Sequence, residues 1–331
     1  MTNMTSFWDK LPKPFFALAP LYDVTDFAFR EMIARRRSPS LEASAHRGGP
    51  DVMFTEFVSV DGLYHEKARA KLTKLHLGFS EIQRPIVAQL WGTKPELFFQ
   101  AARLVRELDF NGVDVNMGCP DKKVVAAGAG AALIKNPTLA QEIITATQEG
   151  IGDLPISVKT RIGYERDTLD AWLPKLLEAK PAAVTVHART VKEMSKVPAD
   201  WQAVRRAVVI AEGSGTLIVG NGDINSLAMA KQRAAESGAD GVMIGRGVFG
   251  GYWFFTGRTE IPLAERLQAL VEHAEIFEAN FAGIKNFAML RKHFAAVVQG
   301  FAGAKDLRMK LMRAESAAAV REVINSASGG E

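Results

Sequence analysis

The chain has a single cysteine, Cys119, among its 331 residues. One thiol cannot build a disulfide framework within the chain or a cysteine-rich zinc site, and a reducing, cytoplasmic setting is expected. The six histidines include no His-Glu-x-x-His pair, so no metal is expected. Long apolar runs are also missing, and no membrane is expected as a partner. Asp9, Lys10 and Lys13, with three prolines among residues 1–20, break any signal-peptide core. Excess charge is small, at a formal +4, and 47% hydrophobic with 24% charged residues suits one large α/β domain with a smaller attachment.

What is present is ordered along the chain. Eight short apolar or β-branched runs occur at Phe15 to Ala19, Val52 to Thr55, Pro85 to Leu90, Gly112 to Asn116, Pro155 to Lys159, Ala182 to His187, Thr216 to Val219 and Gly241 to Ile244. Helical patterns separate them, among them Pro95 to Glu107, Pro137 to Glu149, Asp167 to Ala179 and Ser226 to Ser237. Near-continuous apolar strands alternating with helices predict a parallel sheet covered by helices, and eight repeats over roughly 250 residues predict a closed (β/α)8 TIM barrel. From about Glu260 the strand-like runs stop. Leu263, Leu267, Leu270, Val271, Ala274 and Phe277, then Phe287, Leu290, Phe294 and Val297, have the spacing of amphipathic helices. The tail Ser326 to Glu331 reads as frayed, and Arg35 to Pro50 as a surface loop.

Charge is unevenly spread over the helical part. Arg258 to Ile284 holds two basic and five acidic residues, whereas Lys285 to Arg313 holds seven basic and one acidic. Such a segment is either a solvated helix face or a patch that tracks phosphates.

In a barrel the C-terminal strand ends share one face, and here they are chemically pointed: Pro20 and Tyr22, Glu56, Gln89, Asn116 with Cys119, Lys159 with Arg161, His187 with Arg189, Asn221 with Asp223, and Gly245 with Arg246. An isolated cysteine is by default a small core residue. Cys119 instead lies where the strand Gly112-Val113-Asp114-Val115 breaks into Asn116-Met117-Gly118-Cys119-Pro120, next to Lys122-Lys123 and Gly128-Ala129-Gly130. That basic, glycine-containing loop makes it a candidate active-site thiol. Gly220-Asn221-Gly222-Asp223 and Gly245-Arg246-Gly247 fall after strands seven and eight, the phosphate-holding loops of such barrels. The stretch Gly245 to Gly250 also matches G-x-G-x-x-G, but no second strand follows it, which sets the dinucleotide reading aside. Lys159 on a buried strand needs an anion or must lose its charge. A Schiff base, a place at the edge of a reduced flavin, or an ion pair with Asp114 or Glu56 would each answer.

Taken together, Ala19-Pro20-Leu21, Asn116-Met117-Gly118-Cys119-Pro120, Val158-Lys159-Thr160-Arg161, His187-Ala188-Arg189-Thr190, Asn221-Gly222-Asp223 and Met243-Ile244-Gly245-Arg246-Gly247 closely resemble the tRNA-dihydrouridine synthases. Leu21 and Ala188 stand where that family commonly has Met and Gly. The resemblance implies a catalytic barrel over 1–255 and a helical tRNA-binding domain over 256–331. It implies bound FMN, NADPH as reductant and tRNA as partner: hydride passes to carbon 6 of a uridine while Cys119 protonates carbon 5. Pro20, Leu21 and Tyr22 would line the flavin, Gln89 and Lys159 meet its polar edge, and His187 reach its ring or ribityl chain. Its phosphate would lie on Asn221, Gly222, Asp223, Gly245 and Arg246, with Asn116 and Arg189 on the substrate. Lys285, Arg291, Lys292, Arg308 and Lys310 would bind RNA, and the protein is expected to be a monomer. The rival readings are a small-molecule flavin dehydrogenase, a Schiff-base lyase using Lys159, and an idle RNA-binding module.

Overall fold

A computed structural model describes residues 6–37, 48–249 and 251–328. All strands are parallel: β1 (Phe15–Leu18), β2 (Val52–Phe54), β3 (Val58–Ser59), β4 (Ile86–Trp91), β5 (Gly112–Met117), β6 (Ile156–Gly163), β7 (Ala183–Thr190), β8 (Leu217–Asn221) and β9 (Gly241–Ile244). Neighbours in chain order pair, except that β2 and β3 both pair with β4 and not with each other, and β1 closes on β9. The β3 strand continues β2 along the same neighbour, Val58 and Ser59 lying opposite Leu90 and Trp91. The result is a closed barrel of eight strand positions, the second split in two around Thr55-Glu56-Phe57.

The period of two along each strand decides which residues face inward. Phe15 and Ala17 join Trp8, Val52, Phe54, Val87, Ala183, Val219 and Met243 in an apolar cluster inside the barrel. Phe16 and Leu18, of opposite parity, join the larger core between the strands and their covering helices. The inward parity carried toward the C-terminal ends reads Gln89, Asp114 and Asn116, Lys159 and Arg161, His187 and Arg189, and Asn221. The fold thus presents polar groups at one end of an otherwise apolar interior.

The helices are α1 (Phe27–Ala34), α2 (Val60–Tyr64), α3 (Glu66–His76), α4 (Pro95–Glu107), α5 (Lys122–Ala126), α6 (Pro137–Ile151), α7 (Leu169–Glu178), α8 (Trp201–Ala211), α9 (Leu227–Ser237), α10 (Leu263–Phe281), α11 (Arg291–Val297), α12 (Ala304–Leu311) and α13 (Ala317–Ser328). Helix starts follow from local chemistry. Asp26, Asp121, Asn136, Asp200 and Ser226 each accept a first-turn N–H, and Pro95 and Pro137 open their helices where no N–H is needed.

After β9 the chain forms no further strand among the described residues. Leu267, Leu270, Val271, Ala274 and Phe277 are buried as their spacing predicts, while Leu263 is exposed at the open end of α10. The stripe packs into the same core as Phe29, Met32 and Ile33 of α1. One expectation needs correction. Ser326 to Ser328 belong to α13, because Val320 and Ile324 bury its apolar face; residues 329–331 lie outside the described residues. In the segment Arg35 to Pro50, Arg37 is fixed by hydrogen bonds to the carbonyls of Ile82, Arg84 and Pro50, while 38–47 lie outside the described residues.

Candidate active site at the barrel mouth

The polar strand ends surround a cavity of about 780 Å³, within the range of small-molecule and cofactor sites. It is lined by all the strand-end residues named from sequence except Glu56.

Its floor is a buried hydrogen-bond chain. Asp114 is fully buried, and its carboxylate accepts from Ser157 Oγ and Gln89 Nε2, both at 2.6 Å. Burial pushes Asp114 up to about 6, against those two hydrogen bonds. A carboxylate only accepts, so Gln89 must turn its amide to Asp114, leaving its Oε1 to accept from Asn116 Nδ2 at 2.9 Å. Asn116 Oδ1 then accepts the main-chain N–H groups of Gly118 and Cys119 at 3.2 and 2.9 Å. Gly130, at φ +58°, brings its backbone so close that a Cβ would stand 2.9 Å from the Cys119 carbonyl oxygen. The cysteine loop is therefore fixed from below and from behind. Cys119 is half-buried, and burial raises its thiol above the ordinary value, so it is protonated at neutral pH.

Lys159 donates to Asn221 Oδ1 at 3.1 Å, and Asn221 donates to the Met243 carbonyl at 2.8 Å. Neither anion considered for Lys159 holds it, since Asp114 is engaged by Ser157 and Gln89, and Glu56 lies elsewhere. Burial, reinforced by Arg161, lowers Lys159 to about 8. Burial and the charges of Lys159, Arg161, Arg189 and Arg246 hold the His187 imidazole neutral far below its usual range. Arg189 Nη1 lies 3.4 Å from His187 Nε2. Since arginine can only donate, that ring nitrogen is the acceptor. Arg189 also binds the Val197 carbonyl and pairs with Asp223, which in turn has Arg246 at 3.6 Å.

Arg161 ties two loops together, donating to the Gly118 carbonyl beside Cys119, to the Thr190 carbonyl at the end of β7 and to the Met194 carbonyl just beyond it. Sequence reasoning gave it no role, although its inward parity two residues after Lys159 was the available signal. The glycine loops after β8 and β9 complete the wall. Backbone N–H groups of Asp223, Gly245 and Arg246 meet no acceptor among the described residues. At Gly247 a Cβ would lie 2.0 Å from the Ile224 carbonyl oxygen, so only glycine lets the two loops touch.

The strand-end Glu56 is placed differently from the others. It is fully buried in the break between β2 and β3, and accepts from the Asp23 N–H, from Lys285 at 3.1 Å and from His76 at 3.4 Å. Burial opposes its charge, but His76 and Lys285 outweigh burial and hold it below the usual carboxylate range. Lys285 also reaches Asp26 at 3.4 Å and is itself buried, so its ammonium is spent on these carboxylates and does not face solvent with the other basic residues. Lys310 is exposed, Arg291 and Lys292 are half-buried, and Arg308 donates to the Val298 carbonyl at 2.7 Å. No cluster of metal-ligating side chains occurs among the described residues, and no described helix is long and apolar enough to cross a membrane.

A family model described as dihydrouridine synthase (Dus) matches residues 17–328. The chain belongs to the dihydrouridine synthase family. Among its relatives, a probable tRNA-dihydrouridine synthase of Staphylococcus aureus (strain MRSA252) is 39% identical over 97% of this chain and 95% of that protein. A probable tRNA-dihydrouridine synthase 2 of Bacillus subtilis (strain 168) is 36% identical over 97% and 96%. The match covers the helices after α9 as well as the barrel.

Proposed function

We propose that this dihydrouridine synthase reduces a uridine of tRNA to 5,6-dihydrouridine, using FMN held in the barrel mouth and NADPH as reductant. One observation carries the reading: a protonated thiol, Cys119, opens into the same cavity as Lys159 and two glycine loops with unpaired N–H groups.

The residues suit a flavin mononucleotide. The free N–H groups of Asp223, Gly245 and Arg246, with the exposed Arg246 guanidinium, fit a phosphate dianion. Pro20 and Leu21 offer apolar surface on the β1 side, and Gln89, Lys159 and His187 offer polar groups across the cavity. When bound, FMN supplies the two-electron chemistry that takes hydride from the nicotinamide and delivers it to carbon 6 of the pyrimidine.

The chain's own residues do the rest. Cys119 holds a proton on Sγ, and its raised pKa keeps the general acid charged with that proton at neutral pH. Asn116, by binding the Gly118 and Cys119 N–H groups, sets where Sγ stands. Lys159 places a cation on the buried wall, where developing negative charge is stabilised more than in water. His187, neutral with Nε2 accepting from Arg189, presents Nδ1–H as a donor. Arg189 and Asn116 are proposed to meet the uracil, Arg189 being oriented by Asp223 and the Val197 carbonyl. The segment 256–331 is proposed to bind the tRNA body through Arg291, Lys292, Arg308 and Lys310.

The test is incubation of the flavin-loaded enzyme with NADPH and a tRNA transcript lacking modifications, followed by nucleoside analysis. Dihydrouridine at one position is expected; unchanged uridine with active NADPH oxidation would withdraw the substrate. Burial-lowered lysines also form Schiff bases, and Lys159 shares that trait. Borohydride trapping of a carbonyl compound on Lys159 is the result that would favour the lyase instead.

A further inference from the structure

An aromatic shelf stands at one lip of the cavity, and none of the chemistry above uses it. Tyr22, on the loop after β1, is 51% exposed, while its ring leans on Phe57 and His76 with centroids 5.1 and 5.7 Å away. Phe57 in turn meets Trp91 at the end of β4, edge to face at 6.4 Å. Tyr22 and Phe57 both line the cavity. The shelf exists because the second barrel strand breaks: the interruption at residues 55–57 puts Phe57 on the lip and Glu56 beneath it.

A half-exposed ring on a loop normally moves, but this one is held. The Leu21 N–H is taken by Thr25 Oγ1 at 2.8 Å, the Asp23 N–H by Glu56, and Asp23 itself is at φ +59°. The clamp extends through Glu56 to Lys285, and so to the segment that follows α10. Charges around the shelf offset one another, Asp23, Asp26 and Glu56 against Arg30, Lys285 and Lys292. A surface with a fixed aromatic face and no net charge of one sign suits a neutral planar group better than a phosphate.

We infer that Tyr22, backed by Phe57 and His76, is a stacking platform for the nucleobase next to the uridine that enters the cavity. The inference rests on the uridine-reducing reading above. Its position fits, because Tyr22 and Phe57 line the cavity on one side while Glu56 beneath them binds Lys285, at the start of the basic C-terminal segment, on the other. Stacking there would help hold the strand open while the target base is out of its helix, which itself costs a few kcal/mol.

The experiment uses the flavin-loaded enzyme and single-stranded oligoribonucleotides carrying 2-aminopurine immediately 5′ or 3′ of the uridine. Stacking on the platform quenches 2-aminopurine fluorescence in one of the two probes for the unaltered enzyme and for Tyr22→Phe. The quench is lost in Tyr22→Ala and in Tyr22→Leu, which keeps apolar contact with Phe57 but has no flat face. In parallel, KM for tRNA rises about tenfold in the Ala and Leu variants and stays within about twofold in Tyr22→Phe. Quenching that persists in Tyr22→Ala, a Leu variant that behaves like Phe, or a loss confined to the rate of flavin reduction by NADPH would each overturn the platform. Dihydrouridine formation by the unaltered enzyme separates the two readings: its absence withdraws the substrate, whereas its presence without any quench overturns the platform alone.

Discussion

Asn116 Oδ1 accepts the main-chain N–H of Cys119 at 2.9 Å, three residues further along the chain. The same oxygen takes the Gly118 N–H, and the Asn116 amide is bound to Gln89, so one side chain connects the thiol's loop to the buried Asp114. Replacing Asn116 with Ala strands two part-buried donors, at a cost of about 1 kcal/mol, and lets Sγ drift. Turnover on tRNA is expected to fall about 100-fold, with faster hydrogen exchange over residues 116–121. Unaltered exchange together with unaltered turnover would show that the loop holds its place without Asn116.

The pH profile separates two groups. A general acid works below its pKa, and burial sets that of Cys119 above the ordinary thiol value. Lys159 is charged below about 8 and loses its cation above it, because burial lowers it from 10.5. The rate of tRNA-dependent reoxidation of pre-reduced enzyme is therefore expected to be level through neutral pH and to fall as pH rises through about 8. Lys159→Arg, which stays charged, is expected to extend the plateau upward. A limb that remains near 8 in that variant belongs to another group.

Lys285 was grouped from sequence with the cations that bind RNA, yet it compensates Asp26 and Glu56 inside the protein. Lys285→Met leaves two buried carboxylates facing each other and is expected to destabilise the fold by about 3–5 kcal/mol, read by urea unfolding. A variant with full stability but weakened tRNA binding would return Lys285 to the RNA surface.

Lys310 is exposed on α12 and forms no ion pair among the described residues. Lys310→Gln is expected to weaken tRNA binding modestly and to reduce the slope of log affinity against log salt by about 1, as measured by fluorescence anisotropy. An unchanged slope would mean that the RNA path does not cross this helix.

Much of this was legible in the sequence because its physics is local. The strands announce themselves as apolar runs, and their period of two fixes Gln89, Asn116, Lys159, His187 and Asn221 on one wall before any coordinate is known. Asp114, alone among apolar neighbours in Gly112-Val113-Asp114-Val115, was visible as a buried charge, but its partners Gln89 and Ser157 come from two other strands. The continuation of the second strand was missed because Glu56 interrupts the run, and a carboxylate there looks like a loop until Lys285 is brought to it. Those residues are 229 positions apart, and no spacing rule spans that distance. Arg161 and Tyr22 illustrate the same limit, since their roles depend on which loops the closed barrel sets beside them.

The central claim is that Cys119 gives a proton to the pyrimidine. Its most direct measurement is single-turnover formation of dihydrouridine by pre-reduced, flavin-loaded enzyme, comparing the unaltered protein with Cys119→Ala on the same tRNA. The account predicts that the variant keeps its flavin, is reduced by NADPH and binds tRNA, but forms dihydrouridine at least about 100-fold more slowly. Formation at the unaltered rate would contradict it.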